Sequence, residues 1–229
     1  MIFNRIVSAL LGYPDAALYA ALPEISDLIA GEGSLAESER AALDGFVRTL
    51  AARDPLAAEE DYVRTFDMVP EHSLHLTHHL IGEDKSRGPA LIDLAEFFKS
   101  HGVEIKENEL PDYLPLLLEF ASLMAPEEGA AFLSRWHKVL RQLHANLADA
   151  QSPYAALISL LEARSRAAGA EDDARPVTAV KRSDPWQDSG DFNPPVNWSE
   201  PAACAFSLAP DAVPILLHGR AAPLSEPRR

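Results

Sequence analysis

Four histidines crowd into a short stretch, His72, His75, His78 and His79, and Glu83 follows four positions after His79. Positions four apart share a helix face, so His75, His79 and Glu83 would align two imidazoles and a carboxylate. Such donors suit zinc or iron. The usual companions of a working metal site are missing: there is no His-Glu-x-x-His and no second Glu-x-x-His, and Gly82 interrupts the row before Glu83. The sequence therefore predicts no metal. It predicts histidines that hydrogen-bond locally and take part in recognising a peptide, with a metal-binding helical enzyme built on His75 and His79 as the rival reading.

Two further stretches carry unusual chemistry. Gly82-Glu-Asp-Lys-Ser-Arg-Gly-Pro is a charged turn between apolar segments, which composition alone reads as a solvated connection. Leu110-Pro-Asp-Tyr-Leu-Pro places Asp112 where a carboxylate caps a helix or favours its dipole. A Gly-rich phosphate loop and a Gly-x-Ser-x-Gly elbow are both missing, so no catalytic residue is expected. The single cysteine, Cys204, leaves no partner for an intramolecular disulfide and no Cys-rich metal or iron–sulfur site, which fits a reducing cytoplasm. A formal net charge of −15 repels nucleic-acid phosphates and anionic lipid, and is better matched to a basic partner segment.

Helices must position these residues. Apolar residues recur at helical spacing up to about Arg166, and no segment alternates with the period of a half-buried strand. The expectation is an all-α, single-domain helical bundle over residues 1–166, followed by a largely irregular, Pro-rich C-terminal arm over 167–229. Ile2, Ile6, Ala9 and Leu10 make one face of an amphipathic first helix, interrupted by Asn4, Arg5 and Ser8 and stopped by Tyr13-Pro14, so it does not read as a signal peptide. Asp15 caps a second helix bearing Leu18, Leu22, Ile25 and Ile29. Ser34 and Glu37 have capping-box spacing for a third. Asp54-Pro55 starts a fourth, running to about Asp67, and a helical His-rich turn spans Glu71 to Ile81.

The pattern continues with a helix from about Gly88 to His101-Gly102. Another has Pro111 in its first turn and runs to about Met124. One from Pro126 carries Phe132, Leu133, Trp136, Val139, Leu140, Leu143 and Leu147, and Ser152-Pro153 opens the last. No apolar run reaches the ~20 residues needed to span a bilayer, so no direct membrane insertion is expected. Half of the 18 prolines fall after Arg166, where Trp186, Phe192 and Trp198 are the candidate anchors of the arm.

Taken together, these blocks resemble the NarJ-type, or nitrate reductase delta-subunit, assembly chaperones within the TorD/DmsD group of redox-enzyme chaperones. Leu10-Leu-Gly-Tyr-Pro is similar to the family's opening, and Tyr62-Val-Arg-Thr-Phe-Asp to its Tyr-x-x-x-Phe-Asp element. Ser73-Leu-His-Leu and His79 follow at the family's spacing. Gly82 to Gly88 with Ala90, Asp93 and Leu94 resembles its Gly-x-Ser-Arg-x-Arg-Gly-x-Ala region, and Leu110-Pro-Asp-Tyr-Leu-Pro-Leu-Leu-Leu-Glu its next block. Trp198-Ser-Glu and Phe206 look like the family's C-terminal motif.

The resemblance implies a cytoplasmic chaperone, not an enzyme, that holds no cofactor of its own. It would bind the N-terminal segment of the apo catalytic subunit of a dimethyl sulfoxide reductase-superfamily molybdoenzyme, assist insertion of the molybdenum cofactor, and work beside molybdenum cofactor biosynthesis proteins in nitrate assimilation. The implied client-binding residues are Tyr62, Phe66, Asp67, Leu74, His75, His79, Arg87, Asp112 and Tyr113. Ile81, Asp84, Lys85 and Ser86 depart from the family's pattern, which leaves a related dehydrogenase beside nitrate reductase as a client. A generic helical adaptor is the remaining alternative.

Overall fold

The fold is all-α. A computed structural model describes residues 2–82, 84–106 and 109–172, in which ten α-helices and two short turns of other helix types are joined by brief connections. Residues 173–229 lie outside the described residues, and with them most of the Pro-rich arm, Trp186, Phe192, Trp198 and Phe206. Glu83 lies outside them too.

Local chemistry places the first helices. α1 (Ile2–Leu10) buries Phe3, Ile6, Val7 and Leu10. α2 (Ala16–Gly31) begins where the Asp15 carboxylate accepts from the Leu18 amide at 2.9 Å, and it buries Leu18, Leu22, Ile25 and Ile29. α3 (Glu37–Ala51) buries Leu43, Phe46, Val47 and Leu50. Its capping differs from the Ser34/Glu37 expectation. Ala36 occupies the cap, and its amide donates to the Glu39 carboxylate at 2.9 Å. The Ser34 amide instead donates to Glu32 in the preceding turn. α4 (Pro55–Tyr62) is capped by Asp54, whose side chain accepts from the Ala57 amide.

Beyond Tyr62 the chain widens into a π-helical turn, Val63–Asp67, then a 3-10 turn, Pro70–His72. The continuous helical stretch expected over Glu71–Ile81 is broken, because Ser73 to His75 run extended. α5 (Leu76–Ile81) starts only after His75. The break is fixed from outside: His75 pairs with Tyr113 in an isolated antiparallel bridge, the Leu76 amide donates to the Asp112 carbonyl, and the Leu114 amide to the Leu74 carbonyl. The supposed row of His75 and His79 on one helix face therefore does not form.

α6 (Arg87–Ser100) lies between two glycines at positive φ, Gly82 (+64°) and Gly102 (+74°). α7 (Leu114–Leu123) carries Pro115 in its first turn, whereas Pro111 lies upstream, in the segment that bridges to α5. The long helix expected from Pro126 is two: α8 (Pro126–Ser134) and α9 (His137–Asp149). Ser134 Oγ donates back to the Ala131 carbonyl and the His137 ring hydrogen-bonds the Ser134 carbonyl, and these local bonds compete with the helical ladder at Arg135–Trp136. α10 (Ala155–Asp172) extends six residues past Arg166.

α1 packs on α7, α7 on α8, and α10 on α3, α8 and α9, while α2 covers α3. The core between them holds Leu114, Leu117, Leu118, Leu143, Leu157 and Ile158, all fully buried. Burial of each large aliphatic side chain contributes roughly 1.5–3 kcal/mol, so this interior supplies most of the drive to fold. Phe97, Phe98, Phe120 and Phe132 pack ring against ring where α6, α7 and α8 meet.

Candidate functional site

Two polar and aromatic groupings meet at the Asp112–Tyr113 segment. The first is centred on Asp112, whose side chain is fully buried. One carboxylate oxygen bonds His75 Nδ1 at 3.0 Å. The other accepts from the Thr77 amide at 3.3 Å, from the Thr77 hydroxyl, and from Arg87 Nη2 at 3.4 Å. Arg87 Nε also donates to Thr77 Oγ1 at 3.1 Å, which closes the network. Burial works to raise the Asp112 pKa, but the His75 and Thr77 hydrogen bonds and the Arg87 charge outweigh it and hold the carboxyl below its ordinary range.

This arrangement gives Asp112 a different role from the local cap expected of it. Leu76 and Thr77 are the first residues of α5, and their amides are satisfied by the Asp112 carbonyl and carboxylate, from 36 and 35 positions along the chain. Asp112 thus caps α5 in place of an adjacent residue and ties its start to the segment entering α7. His79 stands beside it: Nε2 donates to the Ser73 carbonyl at 2.7 Å, and burial lowers its pKa, favouring neutral imidazole.

The second grouping is aromatic. The buried Tyr62 hydroxyl donates to the Leu11 carbonyl at 3.0 Å and lies 3.3 Å from the Tyr113 hydroxyl. Rings of Tyr13, Phe66 and Tyr154 surround Tyr62 at centroid distances of 5.4, 4.8 and 5.9 Å. The Tyr113 ring reaches the His75 ring at 5.3 Å and so joins the two groupings. Carboxylates surround the tyrosines. Loss of solvation first, then the charges of Glu59, Asp15 and Asp67, raise the Tyr13 pKa; at Tyr113 burial is followed by Asp67 and Glu109. Tyr13 is exposed while Tyr113 is half-buried, so the outer surface here is aromatic and acidic.

A cleft of about 340 Å³ opens behind the same aromatic cluster, lined by Phe46, Leu50, Tyr154, Arg53, Asp61 and Arg64. The π-helical turn forms part of its wall through Arg64 and Thr65. Asp61 is gripped by both Arg53 and Arg64.

Of the residues singled out in the sequence, Tyr62, His75, Arg87, Asp112 and Tyr113 form one connected chain of contacts. Phe66 joins through Tyr62 and His79 through Ser73. Asp67 is exposed beside the tyrosines, on which its charge acts. Tyr62, Phe66 and Leu74 are at most 6% exposed and belong to the core in this conformation. Sequence reasoning missed Thr77, the Leu11 carbonyl and Tyr13 as members of the site. Thr77 sits inside the His-rich block and Tyr13 inside the opening motif, but no pattern signals that a backbone carbonyl at Leu11 will face a tyrosine 51 positions away. Among the described residues no three His, Cys, Asp or Glu side chains are placed to hold a metal ion.

Comparison with known proteins follows the same blocks. The profile of the nitrate reductase delta subunit family matches residues 32–159, which contain all nine predicted site residues. The chain is 39% identical over 161 residues to the nitrate reductase molybdenum cofactor assembly chaperone NarJ of Escherichia coli strain K12, covering 70% of this chain and 68% of that protein. It is 36% identical over 155 residues to the probable NarJ chaperone of Bacillus subtilis strain 168, covering 68% and 83%. The probable chaperone NarW of Escherichia coli strain K12 is 26% identical over 181 residues.

Proposed function

Since this chain belongs to the nitrate reductase delta-subunit family of NarJ-type assembly chaperones, a family of chaperones and not of catalysts, we propose that it binds the apo catalytic subunit of nitrate reductase and keeps it competent for insertion of the molybdenum cofactor. The observation that carries the proposal is the meeting of three separate sequence blocks, Tyr62–Asp67, Ser73–His79 and Asp112–Tyr113, whose buried groups support an aromatic and acidic surface at Tyr13, Asp67 and Tyr113. Such a surface suits the N-terminal segment of the client if that segment is basic and amphipathic: aromatic rings supply apolar contact, and Asp15, Glu59, Asp67 and Glu109 supply complementary charge. His75, Tyr113 and the exposed part of Arg87 add polar contacts. The Asp112 network holds these groups at fixed spacing, and the neighbouring cleft accepts an apolar side chain of the same segment.

The assignment of nitrate reductase as client follows the names of the relatives and leaves a related dehydrogenase as the comparison case, in view of the departures at Ile81, Asp84, Lys85 and Ser86. Action in the cytoplasm, together with molybdenum cofactor biosynthesis proteins, completes the proposal. None of the described helices is long and apolar enough to cross a membrane.

The test is calorimetry of the full chain with a synthetic N-terminal peptide of the candidate catalytic subunit. Tyr113→Ala and Asp67→Lys should each weaken binding about tenfold, ~1.4 kcal/mol; circular dichroism and melting stay close to wild type in Asp67→Lys, whereas Tyr113→Ala keeps its helical signal but melts lower because its ring packs against the core. Full-length apo subunit that fails to co-purify with the unaltered chain would sink the chaperone–client assignment. Retained affinity in both folded variants would sink the surface.

A further inference from the structure

Asn4 Nδ2 on α1 and Glu119 Oε1 on α7 are buried polar atoms with no hydrogen-bond partner among the described residues. They fall at the same level. Ser8 Oγ donates to the Pro115 carbonyl at 2.6 Å; Asn4 lies one turn before Ser8 and Glu119 one turn after Pro115. The Arg5 charge acts on Glu119, which fixes the two helices as antiparallel in this register. The other charges acting on Glu119 are Lys106 and Glu109, from the connection that enters α7. On the far side α8 presents Phe132 to the Phe120 ring.

Glu119 as a whole is half-buried, but its Oε1 loses hydration without gaining a bond, and a carboxylic acid is cheaper to place there than a carboxylate and brings a proton to donate. We propose that Glu119 is a proton-operated latch, a neutral acid while α1 is seated on α7 and an ionised group when α1 loosens. Its pKa agrees: burial first, then Glu109, push it up to about 7 against the opposing charges of Lys106 and Arg5. The sign follows from a folded-state value above the 4.5 of the free side chain. The seated state is fully favoured below pH 4.5, loses stability as pH rises through about 7, and changes no further above that.

The latch has a route to the surface described above, independent of which client occupies it. α1 runs directly into Leu11 and Tyr13, whose carbonyl and ring contact Tyr62. Loosening α1 withdraws both contacts.

Two measurements on the full chain test this. In urea titrations between pH 4.5 and 8.5, the folding equilibrium constant of the wild type should fall by at least about tenfold relative to Glu119→Gln, solvent screening of a half-buried group keeping the effect below its full linkage value. Identical pH dependence in the two proteins would overturn the latch. Should Glu119→Gln fail to fold, carboxyl resonances assigned in the wild type decide the matter, with Glu119 expected to titrate near pH 7; titration below pH 5.5 overturns it. Amide exchange, corrected for its intrinsic pH dependence, should show lost protection concentrated in α1. Uniform loss across the bundle counts against a latch at that interface.

Discussion

Asp112 shows how much depends on one side chain. It is a fully buried charge whose four hydrogen bonds come from α5, α6 and the extended residue before α5. Removing one member of a buried pair leaves the others uncompensated, so Asp112→Ala should destabilise the chain by about 3–5 kcal/mol in urea denaturation. Asp112→Asn keeps the shape and should cost less. Its depressed pKa gives a signed expectation as well: the contribution is present above the ordinary carboxyl value of 3.8 and is lost as pH falls below it. Acid unfolding followed by circular dichroism should therefore show a loss of stability below about pH 4 that Asp112→Asn lacks. Arg87→Lys is a finer probe. A lysine cannot donate simultaneously in the planar fork that reaches both Thr77 and Asp112, so it should behave more like Arg87→Ala than its charge suggests.

Elements meet their expectations at several local signals. Asp15 and Asp54 cap α2 and α4 as read from the sequence, because capping joins groups three residues apart. Departures fall at Ser34/Glu37, where Ala36 takes the cap, at Pro111, which lies upstream of α7, and at Glu71–Ile81 and Arg135–Trp136, where long-range pairing in one case and serine and histidine back-bonding in the other overrode a helical apolar pattern. Gly102, at φ +74° with open space around its Cα, ends α6 in a conformation that side chains disfavour. Gly102→Ala should cost about 1–2 kcal/mol from backbone conformation alone, read as a lowered melting temperature. α3, α10 and α1 are tied by another device: Arg164 grips Glu39 with two bonds of 2.6 and 2.7 Å and lies over the Phe3 ring. Arg164→Lys should recover only part of what Arg164→Ala loses in urea stability, since the fork and the ring contact both require guanidinium.

At the scale of the molecule, charge is the governing quantity. A net charge of −15, with carboxylates gathered around Tyr13 and Tyr113, makes association with a basic segment faster and tighter at low salt. The affinity of the client peptide should fall several-fold between about 0.05 and 0.5 M salt, because the Debye length shrinks from roughly 14 to 4 Å over that range. Salt-independent binding in calorimetry would assign the affinity to apolar contact in the cleft. Most of the surface could be anticipated as acidic, but not that Tyr62, Phe66 and Leu74 would be interior and Tyr13 exposed. All four are apolar or aromatic, and periodicity alone does not distinguish a core stripe from a recognition face.

The sequence by itself determined the helical class, most of the buried positions, two helix caps and the family, because each is written in spacings of a few residues or in the order of short blocks. The tertiary structure alone decided how the singled-out residues are placed. His75 left the helical row to bridge Tyr113, Asp112 became the cap of a helix encoded far upstream, and Glu119 met surroundings that leave its Oε1 without a hydrogen bond among the described residues. Those outcomes depend on which helices pack together, and burial, desolvation and long-range hydrogen bonds exist only once they do.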